Sequence, residues 1–170
     1  MRFWTGIFAL ALLAAPAHAQ TLAETHHAWR VFTDGAGAAR ICYIVAEPQR
    51  KEPRNVRRGD VFMTITHRPA QGVHGEVSVS IGYPFSAKSN PFARVGGDSH
   101  QFFTGVQAAS TADGWAWIKD TDASPRLIAA MKRGNQLVFK GTSARGTLTT
   151  DTYSLRGFTA AMRAMDGACS

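Results

Sequence analysis

The sequence predicts an all-β fold: a single-domain antiparallel β-sandwich with a C-terminal α-helix and a short additional helix. Three observations carry that expectation. Apolar and polar residues alternate with a period of two in several short runs, the pattern of strands with one face in a core. Gly, Pro, Asn and Asp bound most of these runs, and 16 Gly and 7 Pro in 170 residues supply the turns that many strands need. Hydrophobic residues make up 45% of the chain and charged residues 18%, the balance of a folded globular protein, and the length suits one domain.

Residues 1–19 read as an export signal. Arg2 provides the positive start, residues 7–15 an apolar core, and Ala17-His18-Ala19 the small-x-small cleavage signature. The apolar run falls well short of the roughly 20 residues a membrane span needs, and Pro16 closes it. No Cys follows the cleavage site, so no lipid anchor is expected. The domain is then 20–170. Strands are expected at 29–33, 40–46, 61–66, 76–81, 100–104, 115–118 and 136–140. In the clearest of them Val77, Val79 and Ile81 face one way and Glu76, Ser78 and Ser80 the other. The short helix covers 126–133, with Ser124 as N-cap, Pro125 in the first turn and Gly134 as terminator. The C-terminal helix is expected to begin near Ser154, with Leu155, Phe158, Met162 and Met165 as its apolar stripe and Gly167 near its end. Gly157 inside that helix costs about 1 kcal/mol against Ala, which points to close packing there.

Export places Cys42 and Cys169 in an oxidising compartment, where a disulfide is the expected state and two unpaired thiols the alternative. The bond would pin the last helix to an early strand, and closing so long a loop is worth about 5 kcal/mol in the chain-entropy account. Their spacing is not C-x-x-C, so a redox-active pair is not expected. Two Cys also exclude a four-cysteine zinc site.

The sequence assembles no catalytic or metal motif. His26 and His27 are adjacent, His67 and His74 flank a turn, and no H-E-x-x-H spacing joins any of them to a carboxylate. Asp120-Thr-Asp122 begins like a calcium loop, but Pro125 stands where Gly is needed and Met131 where Glu is needed. Gly35-Ala-Gly37 precedes a strand and reads as a hairpin turn instead of a dinucleotide fingerprint. There is no G-x-S-x-G elbow, and Asp98-Ser99-His100 are merely neighbours. No catalytic residue, metal or cofactor is therefore assigned. An envelope hydrolase working through unpatterned carboxylates ranks last.

Charge is more informative. Lys plus Arg outnumber Asp plus Glu by 19 to 12, a formal net charge of +7. Arg50, Lys51, Arg54, Arg57 and Arg58 crowd one loop, the candidate contact for an anionic lipid or glycan. The loop lacks the interleaved aromatics of single-strand binding, and export argues against nucleic acid as a partner. Trp115 and Trp117 share a strand face and are read as core in preference to a sugar platform.

Gly82-Tyr-Pro-Phe85, Ala116-Trp117, Gly141-Thr-Ser-Ala-Arg-Gly146-Thr and Asp151-Thr-Tyr-Ser-Leu-Arg-Gly-Phe158, with Trp29, Cys42 and Cys169, resemble the invasion-associated locus B family. The resemblance covers nearly all of the chain after the export signal, and the Ser-Leu-x-Gly-Phe entry to the last helix is its most specific part. Many members carry further cysteines; this chain has two. The resemblance implies an exported β-rich envelope protein of alphaproteobacteria, periplasmic or at the outer surface, with no catalytic residues. The family's name comes from a virulence role in entry into host cells. The expected function is thus non-enzymatic binding to an envelope or host-surface component, with a periplasmic module for an anionic ligand as the alternative.

Overall fold

A computed structural model describes residues 20–119 and 123–170. Residues 1–19, expected to be an export signal, and Asp120 and Asp122 lie outside the described residues. Strands β1 (Thr21–His26), β2 (Trp29–Asp34), β3 (Ile41–Ala46), β4 (Arg50–Glu52), β5 (Val61–Arg68) and β6 (Val73–Ile81) are followed by β7 (Phe92–Val95), β8 (Asp98–Thr104) and β9 (Trp115–Ile118). Helix α1 (Ala123–Arg133), β10 (Gln136–Thr142), β11 (Leu148–Ser154) and helix α2 (Phe158–Ala168) complete the order.

The strands form one antiparallel ladder in the order β1-β2-β3-β5-β6-β9-β8-β7-β10-β11-β4. Strand β8 joins its two layers. Its first half pairs with β7 (Phe92↔Gln101) and its second with β9 (Phe102↔Ile118). The ladder therefore folds over on itself as a sandwich, and the inward positions of both layers meet in one core. Val31, Ile44, Met63 and Val79 enter it from the first layer, Leu137, Phe139 and Tyr153 from the second. Phe102 and Phe139 meet edge to face at 5.2 Å. Each such aromatic or branched side chain, once fully buried, stabilises the fold by about 1.5–3 kcal/mol.

Every run of alternating residues became a strand. The structure adds β1, β4, β7 and β11, and it corrects the last helix. Ser154 ends β11, and its hydroxyl accepts the Arg156 amide at 3.2 Å in a local turn instead of capping a helix. Gly157 holds φ +89°, and α2 starts only at Phe158. The close packing inferred there is present: a Cβ on Gly157 would overlap the His26 carbonyl oxygen. Leu155 is buried just ahead of the helix, while Phe158, Met162 and Met165 form its inner face. Helix α1 begins earlier than expected, so Ser124 sits in its first turn.

Helix α2 packs on β1, β2 and β3, and α1 on β6, β7 and β8. Cys42 and Cys169 form the disulfide that anchors α2 to β3, with Cα atoms 5.9 Å apart. Trp29 reinforces the same corner. Its ring lies 4.9 Å from Phe158, and its indole N–H donates to the Ser154 carbonyl at 3.0 Å.

Candidate functional site

The chain leaves β3 at Ala46 and crosses to the far edge of the second layer. There β4 pairs with β11, setting Lys51 opposite Asp151 and Arg50 opposite Thr152. The return passes Gly59, whose amide donates to the Gly82 carbonyl at 2.8 Å. Gly82 has φ +76°, and a Cβ there would press on Gly59. The basic segment is thus tied down at both ends.

Between these ties the five predicted basic residues separate into two groups. Arg58 turns inward. Its guanidinium donates two hydrogen bonds to the Asp151 carboxylate, at 2.7 and 2.6 Å, and its Nε donates to the Ile81 carbonyl at 2.9 Å. The guanidinium also lies 5.3 Å from the centre of the Tyr83 ring. Its side chain is 5% exposed and that of Asp151 0%. Three of its N–H donors are committed inside the fold and its side chain is buried, so Arg58 joins the two layers and leaves the anion-binding set. Burial pushes the Asp151 carboxyl above its ordinary value, and the Arg58 hydrogen bonds and charge offset part of that rise. The Tyr153 hydroxyl, fully buried next to this carboxylate, is pushed well up by the same desolvation.

Arg50, Lys51, Arg54 and Arg57 face solvent. With Pro53 and Val56 they line an open cleft of about 620 Å³. Arg50 lies 3.8 Å from Glu52, an exposed contact worth little. Four cations at one concavity, without a close carboxylate for each, make a field suited to a ligand with several negative groups.

A second groove adjoins the first, and sequence reasoning missed it. Trp115 and Trp117 are not core. Their neighbours Ala116 and Ile118 take the inward positions of β9, so both indoles lie half-buried on the outer face of the first layer. They stack at 6.3 Å, with Phe62 at 5.2 Å from Trp115 and Phe103 at 5.7 Å from Trp117. Between them β6 presents only Ser78 and Ser80, small enough for the rings to cover. Phe32 and Tyr43 stack at 5.4 Å on the same face. Tyr43, Phe62, Trp115 and Thr64 floor a groove of about 730 Å³, and Lys51 and Arg58 line both this groove and the basic cleft. The only sequence signal was aromatic residues on the polar phase of several alternating strands.

The histidines assemble no reactive group among the described residues. His67 and His74 approach across their hairpin at 5.7 Å. The Nδ1 of His67 accepts the Gly75 amide at 2.9 Å, so Nε2 carries the proton it shares with Asp166 at 2.9 Å. Both ring nitrogens are committed, which leaves none to serve as a base. Burial lowers the pKa of His100. No group of three His, Cys, Asp or Glu side chains among the described residues is placed to hold a metal ion. No helix among them is long and apolar enough to cross a membrane.

Fold and site together define an antiparallel sandwich with a disulfide-pinned C-terminal helix and a concave, cationic outer surface. The chain belongs to the invasion associated locus B (IalB) family, whose model matches residues 29–166. It is similar in structure to the crystal structure of invasion associated protein B from Bartonella henselae, with a TM-score of 0.60 over 87% of this chain and 98% of that one. Identity is 17%, so this likeness speaks for the fold alone. A search of curated proteins returned no match.

Proposed function

We propose that this protein is an exported, non-enzymatic component of the cell envelope that acts by binding an anionic lipid or glycan through the cleft of Arg50, Lys51, Arg54 and Arg57. The observation that carries this reading is the convergence of four exposed cations on one concavity while the fifth basic residue of the segment is buried as scaffold. The disulfide fits a place outside the cytoplasm, in the periplasm or at the outer surface. Protease shaving of intact cells separates those two places.

The test is binding of the chain without residues 1–19 to phosphatidylglycerol vesicles and to an oligogalacturonate. Raising salt from ~0.05 M to ~0.5 M screens such contacts, so affinity should fall steeply. R54Q/R57Q should bind at least tenfold more weakly while unfolding at the native urea midpoint. Salt-independent binding, or none to either probe, would overturn the reading. The family's name motivates a second role, in host-cell association. A deletion strain with unchanged host association and an intact envelope would count against it.

A further inference from the structure

We infer that the ligand is an acidic polysaccharide, its sugar rings lying on the aromatic groove and its carboxylate or sulfate groups in the adjoining basic cleft. This rests on the anionic-ligand reading above and narrows it. The two depressions adjoin, since Lys51 and Arg58 line both. A ligand spanning them must be extended and must change character along its length, apolar ring faces on one side and negative groups on the other.

The aromatic groove has the form that sugars require. Its rings lie on a strand surface and brace one another, Phe62 against Trp115 at 5.2 Å and Phe32 against Tyr43 at 5.4 Å, so they are held in fixed positions. An aromatic face carries negative charge density, which attracts the polarised C–H groups on the apolar side of a pyranose. Polar side chains stand at the groove to meet hydroxyls: Asp60 and the exposed Arg30–Glu47 pair at 2.8 Å. Lipid fits less well. Insertion into a bilayer needs protruding apolar side chains, and the two large hydrophobic residues that stand exposed among the described residues, Leu22 and Leu148, line neither depression. A neutral glycan would leave the four cations without a purpose.

The experiment compares an oligogalacturonate, a neutral cello-oligosaccharide of equal length and phosphatidylglycerol vesicles as probes for the native chain, W115A, the edge variant F32S/Y43S and R54Q/R57Q. The expected result is salt-sensitive binding of the oligogalacturonate with a change in tryptophan fluorescence, and at least tenfold weaker binding of the neutral sugar. W115A and R54Q/R57Q should each lose at least tenfold in affinity. If W115A does not fold, F32S/Y43S decides, with a loss of at least threefold expected. Binding that R54Q/R57Q abolishes but the aromatic variants leave intact would overturn the polysaccharide inference and leave the anionic-ligand reading standing. So would binding of vesicles without binding of the oligogalacturonate. Loss of all salt-sensitive binding would overturn both.

Discussion

Arg58 and Asp151 offer the sharpest test of how the candidate site is held. Replacing Arg58 by Met removes two charge-assisted hydrogen bonds and strands a carboxylate that is 0% exposed. Breaking one side of a buried pair costs about 3–5 kcal/mol, because the remaining charge has no partner and no water. With a urea slope of about 2 kcal/mol per molar, the unfolding midpoint should fall by about 1.5–2.5 M. The pair itself is a different matter. Desolvation is the largest influence on Asp151 and outweighs the help from Arg58, so its carboxyl holds a proton more tightly in the fold than in the unfolded chain. R58M/D151L removes both charges together and should recover most of the loss. A carboxyl raised in the fold contributes stability that is present in full below its unfolded value, near 3.8, and is lost as pH rises through the folded value. Native stability measured against R58M/D151L should therefore decline from acid pH towards neutrality. An R58M midpoint within about 0.5 M of the native one, together with lost ligand binding, would refute the scaffold role and return Arg58 to the ligand set.

The covalent and glycine anchors yield two further expectations. The Cys42–Cys169 disulfide spans 127 residues, and its removal in C42A/C169A should cost about 5 kcal/mol by chain entropy, read as a lower urea midpoint; a loss under about 1 kcal/mol would mean that packing of α2 on β2 and β3 already fixes the helix. G157A combines a left-handed backbone with a clash on the His26 carbonyl and should destabilise by about 2 kcal/mol or more, whereas G167A, in open space within α2, should stabilise by about 0.5–1 kcal/mol; equal effects would show that Gly157 lies in ordinary helix.

What the sequence discloses is decided by where each strand lies in the sheet. Strands β5 and β6 have aliphatic residues facing a core, so their alternation is visible without knowledge of their neighbours. Edge strands β1 and β4 are almost wholly exposed and leave no such trace. Strand β11 is buried, but Thr149, Asp151 and Tyr153 fill its inner positions, which reads as a polar stretch until Arg58 is placed against it. That partner is 93 residues away, beyond any local pattern. A cluster of basic residues is a local property and was legible, whereas sorting it into four surface cations and one internal strut depends on the β4–β11 register. The aromatic groove depends on register throughout, because Tyr43, Phe62 and Trp115 become neighbours only when β3, β5, β6 and β9 align. Lys51 lies where these arrangements meet. It is fixed opposite Asp151 by the β4–β11 ladder and borders both grooves, so the strand that carries the buried partner of Arg58 also sets the position of a cation common to the two halves of the surface.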